Sequence, residues 1–194
     1  FVHRPKKSLV VQRQVGMHTD SYASALRAAL REDPDIILVG ELRDEETISL
    51  SMTAAETGHL VISTMNTISA AQTINRIVNA FPPRQQSQIR TMLADSLRGV
   101  ISQQLLRNRD GKGRSVAVEI MLGTQGVANL IRENKMHQVN SVIQTNSRKG
   151  MRMMDESLFQ LVESGVVSGK DALDRAHDKN TFAGRIKLVE GAAM

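Results

Sequence analysis

Cysteine and tryptophan are both absent from this sequence of 194 residues, and tyrosine occurs only once. A chain without cysteine forms neither disulfides nor thiolate metal sites, which fits a reducing compartment. With four phenylalanines besides, the chain has too few aromatic rings to stack nucleic-acid bases. The net charge of +5 is therefore interpreted as solvated surface. A basic nucleic-acid-binding module is the least favoured function.

Long apolar runs are also missing. No stretch approaches the roughly 18 residues of a membrane span, and the N-terminus lacks the charged-then-apolar pattern of a signal peptide. The 41% hydrophobic and 23% charged residues are typical of a globular protein. These patterns predict a folded cytoplasmic protein without a transmembrane segment. Because the chain begins FVHRPKK rather than with Met, we expect it to be part of something longer.

Several familiar site motifs do not occur. The five histidines show neither H-x-x-x-H nor HExxH spacing, and no G-x-S-x-G nucleophile turn is present. The phosphate-binding loop G-x-x-x-x-G-K-[ST] is missing too. The segment most similar to this pattern, 165–171 (GVVSGKD), is one residue short, ends in Asp and falls between two predicted helices. Independent enzymes of these classes are therefore not expected.

The first part of the chain predicts a strand and then a helix. Ser8 to Val15 is rich in β-formers and predicts a strand ended by Gly16. A helix follows, capped by Thr19 or Asp20, and a proline at position 34 stops it.

The next segments continue this alternation. Asp35 to Val39 carries an unbroken apolar run, which is typical of a strand covered on both faces in a parallel sheet. Asp44 is expected to cap a helix that runs to about Glu56, and His59 to Thr64 predicts the next strand. Strand, helix and strand in succession predict an α/β fold with a parallel-rich sheet.

The remaining segments lead into a helical region. Helices are predicted over 69–79 and 84–106, and a strand over 115–121 follows a turn at Asp110-Gly111. Beyond Gly123 the helical segments are 129–133, 136–145, 151–162 and one opening at Ser168, and we expect the tail to fray after Asn180. A domain boundary is therefore placed near Gly123.

Polar residues follow both predicted strands of the parallel sheet. Glu41 comes just after the first strand, and Thr64, Asn66 and Thr67 end or follow the second. Ligands of parallel α/β sheets bind at the carboxyl ends of strands, so these groups are candidates to contact phosphate oxygens or Mg²⁺. The open alternatives are that Glu41 faces solvent or that Arg43 pairs with a neighbouring helix. His59 lies at the other end of its strand, where a structural role is more usual.

Several ordered segments resemble one family. The run ALRAALREDPDIILVGELRDEET resembles the Walker B region of the secretion ATPases of type II and type IV systems, and TAAETGHLVISTMNT is similar to their His box. Later segments are similar to the pilus-retraction branch of this family: RTMLADSLRGVISQQLL, GRSVAVEIMLGT, NLIRENK and MRMMDESLFQLVESGVVS. The resemblance extends from about Ser8 to Ala176.

The resemblance implies an architecture. Residues 1–122 would be the C-terminal part of a RecA-like P-loop ATPase core, and 123–194 an all-helical C-terminal subdomain. The family places a PAS-like domain and the phosphate-binding loop upstream, before an Asp box whose tail is like Phe1-Val2-His3. Without that loop, this chain alone is expected to be inactive.

The resemblance also implies partners. The parent would be a homo-hexamer that hydrolyses ATP with Mg²⁺ to retract type IV pili, in the cytoplasm and held at the inner membrane by a pilus platform protein. Alternatives are a type II secretion or pilus-assembly ATPase, or a non-catalytic interaction module.

The resemblance assigns roles to individual residues. Glu41 would be the Walker B acid that binds Mg²⁺ through water or activates the attacking water. Gly40, Arg43, Thr64 and Asn66 would lie near the phosphates, and so would His59, the first His-box histidine. The second falls at Asn66. Because asparagine carries neither a proton nor a positive charge, the parent motor is expected to be slower, or a paralogue with an accessory role.

One further motif is implied for retraction. Residues Asn129, Leu130, Ile131, Arg132 and Glu133 match a segment that this family links to retraction, whereas Gly126-Val127-Ala128 departs from the usual residues before it. The alternative is an ordinary surface helix.

Overall fold

A computed structural model describes the backbone of residues 2–192 and the side chains of residues 2–188. Phe1, which belongs to the segment compared with the Asp-box tail, lies outside these residues. The described residues form two compact units, which are divided between Met65 and Asn66. Among residues 2–192, no helix is both long and apolar enough to span a membrane. The predicted division into an ATPase core and a helical subdomain near Gly123 remains a prediction.

The first unit contains a parallel pair of strands with two helices. Its elements are α1 (Tyr22–Ala29), β1 (Ile36–Val39), α2 (Glu45–Glu56) and β2 (Leu60–Ser63). Strands β1 and β2 pair in parallel, with Ile36 opposite Leu60. The predicted strand, helix and parallel strand are therefore confirmed.

The strand predicted over Ser8 to Val15 does not form. In its place an isolated bridge joins Val15 to Thr19 around a turn in which Gly16 has φ +83°. Leu9 is 87% exposed. β-formers stabilise a strand through packing and pairing, and no strand of the described residues pairs with this segment.

The caps of the two helices differ in how well they were predicted. Helix α1 is capped by Ser21, whose Oγ accepts from the Ser24 amide, and not by Thr19 or Asp20. Helix α2 is capped by Asp44, as predicted.

Strand β1 is covered on one face only, which corrects the prediction of burial on both faces. Ile37 and Val39 are buried with Leu26 of α1 and Ala54 of α2. Ile36 and Leu38 lie on the other face and are 59% and 57% exposed. Both helices of this unit pack on the same side of the strand pair, so the apolar run marks one buried face and one exposed apolar face.

The second unit combines an antiparallel hairpin with helices. Its elements are α3 (Ala70–Asn79), α4 (Pro83–Ser96), β3 (Gly99–Arg107), β4 (Arg114–Leu122), α5 (Gln125–Arg132), α6 (Val139–Thr145), α7 (Met154–Glu163), α8 (Gly169–Arg175) and α9 (Lys179–Ala192). Short 3-10 turns cover Met136–Gln138 and Ser147–Lys149. The hairpin packs through Leu106 and Ala117 against Met154 and Leu158 of α7.

The helix predicted over 84–106 is wrong in its second half. Helix α4 ends at Ser96, and Leu97 has the extended backbone angles φ −64° and ψ 124°. Strand β3 then alternates between exposed and buried positions and pairs with β4. Val100 and Ile101, which fall within the predicted helix, therefore point to opposite faces of a strand. Period-two alternation and pairing outweigh the helical pattern here.

The turn between β3 and β4 is confirmed, since the Lys112 amide donates to the Asp110 carboxylate at 2.8 Å. Ser168 caps α8 as predicted. Residues 181–192 are helical, because α9 runs from Lys179 to Ala192, and Phe182 is buried in the core. The expectation of fraying there is wrong.

Candidate functional site

The carboxyl ends of β1 and β2 stay bonded beyond the last paired residues. Ser63 Oγ donates to the Val39 carbonyl at 2.8 Å, and Thr64 Oγ1 donates to the Gly40 carbonyl at 2.6 Å. The Leu42 amide donates back to the Thr64 carbonyl at 3.1 Å. Glu41 therefore lies between two residues that are both held by Thr64. This is the edge where parallel sheets bind ligands.

Glu41 forms an ion pair within this edge. Its Oε2 lies 2.7 Å from Arg43 Nη2, and the side chains are 29% and 73% exposed. The hydrogen bond to Glu41, together with its negative charge, raises the pKa of Arg43 above the usual value. Arg43 therefore pairs with the candidate acid itself and not with a neighbouring helix.

Gly40 and Asp44 flank this pair with local structural roles. A Cβ on Gly40 would lie 3.1 Å from the Tyr22 hydroxyl oxygen, which is tighter than most such contacts. Asp44 accepts from the Thr47 amide at 2.8 Å and from Thr47 Oγ1 at 2.9 Å. Helix α2 therefore begins three residues after Glu41, with its first turn already capped.

His59 lies at the opposite end of β2 from Thr64. Its Nδ1 lies 3.0 Å from the Ala54 carbonyl oxygen, and its own amide donates to the same oxygen at 3.1 Å. Since a carbonyl only accepts, Nδ1 carries the hydrogen and the ring closes the last turn of α2. About 16 Å of strand separates His59 from Thr64. The structure does not bring His59 to the edge that holds Glu41.

Asn66 belongs to the second unit, where it precedes α3. Its backbone carbonyl accepts from Arg76 Nη1 at 2.8 Å, and the residue is exposed. Thr67 is half-buried, and its hydroxyl bonds to that of Thr73 at 2.7 Å. The expected meeting of Asn66 with Glu41 remains a prediction.

The five residues that the family resemblance associates with retraction lie at the C-terminal end of α5 and divide into two groups. Ile131 is 1% exposed and Leu130 is half-buried, so both face the protein. Asn129, Arg132 and Glu133 are exposed. The exposed three can contact a partner without unpacking the helix, whereas Ile131 cannot.

The exposed group is bound into a small network. Arg132 Nη1 donates to Asn129 Oδ1 at 3.1 Å, and Arg132 also pairs with Asp95 of α4. Glu133 pairs with Lys135 at 2.7 Å. The exposed end of α5 therefore carries charges of both signs in fixed positions.

Sequence reasoning missed Glu119 of β4. It is 1% exposed, and its Oε1 accepts from the Ala70 amide at 2.8 Å. Its neighbours on the same face, Ala117 and Met121, are both fully buried. The alternation of SVAVEIM places position 119 on the inward face, so the signal for a buried acid was present.

Residues 6–110, more than half of the sequence, match the family profile described as type II/IV secretion system protein. The chain belongs to this family. The resemblance identified from the Walker B and His-box segments is therefore confirmed.

Two curated members of the family are similar along almost the whole chain. A twitching motility protein of Neisseria gonorrhoeae is 52% identical over 183 residues, which cover 94% of this chain and 49% of that protein. A type IV pilus retraction ATPase, PilT, of Pseudomonas aeruginosa is 52% identical over 182 residues, covering 94% and 53%. The chain spans about half the length of the curated relatives it matches.

A solved family structure has the same fold. The crystal structure of the pilus retraction motor PilT with bound ADP is 47% identical, with a TM-score of 0.84, over 93% of this chain and 50% of that one. The predicted α/β class is confirmed. The similarity is consistent with the C-terminal part of a P-loop ATPase core.

The edge of β1 fits a magnesium ion held through water. Among the described side chains, no group of three or more His, Asp or Glu residues could hold a metal directly. Magnesium, however, usually keeps several waters and takes only one or two carboxylates together with substrate phosphates. A single carboxylate at a strand end, as Glu41 provides, matches that requirement.

Proposed function

We propose that this chain is part of a hexameric ATPase motor that retracts type IV pili. The observation that carries this proposal is the 52% identity, over 94% of the chain, to proteins named for twitching motility and pilus retraction. Family membership supports ATP as the substrate, and the position of Glu41 at the carboxyl end of β1 supports a catalytic acid there. The whole motor would act in the cytoplasm and reach the inner membrane through a platform protein.

Within such a motor Glu41 is the Walker B acid. It would hold Mg²⁺ through water or orient the water that attacks the terminal phosphate. Magnesium, when bound, neutralises charge on the β- and γ-phosphate oxygens. The bonds from Thr64 to Gly40 and from Leu42 to Thr64 hold Glu41 in place. Arg43 neutralises part of its charge and keeps the carboxylate at this edge.

The 194-residue polypeptide itself should not turn over ATP. Its sequence has no G-x-x-x-x-G-K-[ST] loop, and phosphoryl transfer depends almost entirely on positioning of the phosphates. Measurable hydrolysis by this purified polypeptide would contradict the expectation that it is inactive alone.

The test is a fusion motor, which joins this chain to the part of the P. aeruginosa relative that the alignment leaves uncovered. We expect it to hydrolyse ATP and to restore twitching in a strain without its retraction ATPase. Glu41→Gln should lower turnover by about 100-fold and leave nucleotide binding intact. Glu45→Gln, an exposed carboxylate in the first turn of α2, is the matched control and should keep full turnover. Equal turnover in the two variants would refute the role of Glu41.

A further inference from the structure

The segment before α3 is bound to that helix residue by residue. Three successive residues each bond to a side chain of α3. The bonds are Arg76 Nη1 to the Asn66 carbonyl at 2.8 Å, the Thr67 hydroxyl to the Thr73 hydroxyl at 2.7 Å, and the Ile68 amide to Gln72 Oε1 at 2.8 Å. Wherever α3 lies, Asn66 lies with it. The position of Asn66 is therefore set by whatever fixes the start of α3.

Glu119 fixes that start from a distant strand. Its Oε1 accepts from the amide of Ala70, the first residue of α3, at 2.8 Å, across 49 residues of sequence. Both residues are inaccessible, with Ala70 0% and Glu119 1% exposed. A carboxylate that accepts from a backbone amide makes a charge-assisted bond, roughly twice as strong as a neutral one. The helix start is thus tied to β4.

Helix formation alone does not need this buried acid. Ser69 already caps α3 by accepting from the Gln72 amide at 3.2 Å, which is the usual local solution. Burying a carboxylate costs free energy, so the Ser69 cap alone would start the helix at a lower cost. What Glu119 adds is a fixed location of α3 on β4.

The second oxygen of Glu119 faces the turn between α8 and α9. Oε2 makes no hydrogen bond among the described residues and lies 3.9 Å from His177 Nδ1. The His177 and Asp178 amides donate to the two carboxylate oxygens of Asp155 at 2.8 and 2.9 Å. The C-terminal helices therefore hold His177 beside the same carboxylate that anchors α3.

We propose that Glu119 is a positioning residue for Asn66: it holds α3, and with it the segment that faces the phosphates in the proposed motor, in register with β4 and the C-terminal helices. This inference rests on the proposed function for its catalytic consequence. Its structural part concerns only residues of the second unit. Glu119 touches neither nucleotide nor metal in this scheme and acts only through α3.

The structural part is tested on the 194-residue chain by amide NMR. Glu119→Gln keeps the shape but removes the charge. We expect the Asn66 and Ala70 amide signals to shift and the Ala70 amide to exchange about tenfold faster relative to the Ala117 amide in β4. The matched control is Ser157→Ala, which removes another side-chain bond to β4: the part-buried Ser157 hydroxyl bond from the Val118 amide at 3.0 Å. Unmoved Asn66 signals in Glu119→Gln, or equal shifts in the control, would overturn the proposal.

The catalytic part is tested in the fusion motor. Glu119→Gln should lower kcat about 10- to 100-fold while KM for ATP stays within about twofold, because misplacement affects the reacting geometry more than nucleotide capture. Ser157→Ala should lower thermal stability but leave kcat unchanged. The losses from Glu119→Gln and Asn66→Ala should not add in the double variant.

The outcomes separate the two proposals. Additive losses, or a kcat for Glu119→Gln equal to that of Ser157→Ala, would overturn the positioning role in an otherwise active motor. A fusion motor without any ATP turnover would overturn the proposed function. The NMR shift at Asn66 would then still support the anchoring of its segment by Glu119.

Discussion

The five residues at the end of α5 should separate into those that hold the fold and those that are free to serve function. Ile131 is 1% exposed, so Ile131→Ala removes buried methyl groups and leaves a cavity. Substitutions of this kind cost about 2–5 kcal/mol. For a domain with a stability of about 5–15 kcal/mol this is a large fraction. This loss of free energy corresponds to a fall in Tm of about 10 °C.

Arg132 should behave differently. Its ion pair with Asp95 and its bond to Asn129 lie at the surface, where such interactions contribute about 0–1 kcal/mol. Arg132→Ala should therefore change Tm by less than about 3 °C. Ile131→Val, which removes a single methylene, should fall between the two at about 0.5–1.5 kcal/mol.

Hydrogen exchange measured by mass spectrometry on peptides from 114–145 is the suitable assay. The chain has two compact units, so a whole-chain melt does not report on α5 alone. Protection should drop strongly for Ile131→Ala, weakly for Ile131→Val and hardly at all for Arg132→Ala. An equal loss for Arg132→Ala, or none for Ile131→Ala, would refute the division into core and surface residues.

This division decides how the retraction motif should be tested. Loss of motility after substitution of Leu130 and Ile131 would not separate a functional defect from an unfolded helix. Asn129→Ala and Arg132→Ala keep the helix and remove the exposed groups. If the motif serves retraction, these two variants of the fusion motor should abolish twitching while ATP turnover persists. Normal twitching would leave α5 as an ordinary packed helix.

Two further predictions follow from single side chains. Asn66→His in the fusion motor should raise ATP turnover by roughly tenfold, because a histidine can supply the proton or positive charge that asparagine lacks, and unchanged turnover would contradict this. The second prediction concerns Asp178, whose pKa is lowered by the hydrogen bond that the Thr181 hydroxyl donates to it. The ionised carboxylate therefore stabilises the fold fully above the unfolded pKa of about 3.9. This contribution is lost as pH falls through the lower pKa of the folded state. The free energy of unfolding of Asp178→Asn, measured in urea from pH 6 to pH 2, should therefore fall less on acidification than that of the parent chain. Identical pH dependence of the two would exclude the effect.

Local chemistry predicted most of the first unit. A cap residue before an acidic turn located α2, and an apolar run followed by Gly40 located β1. The burial of β1 was mispredicted because an apolar run does not reveal whether helices cover one face or two. The strand expected at 8–15 failed for a related reason: β-propensity reports suitability for a sheet and says nothing about whether a partner strand is available.

The errors in the second unit come from competing periods. Leu93 and Leu97 continue a helical pattern into 100–101, while 99–107 also fits alternation, and only the pairing with β4 decides between them. The role of Glu119 could not be predicted from local sequence pattern alone. Its inward position was visible in the alternation, but its bond to Ala70 depends on a contact across 49 residues.

The negative charges at the N-terminus of α2 disfavour phosphate binding there. The N-terminus of a helix that follows a parallel strand commonly attracts anions. Helix α2, however, already has the carboxylate of Asp44 on its first-turn amide, and Glu45 and Glu46 follow in the same turn. Three acids at this helix end would repel a phosphate group. Phosphate binding in the proposed motor must therefore come from other groups, and in that motor this edge would contribute the acid Glu41 and its paired cation Arg43.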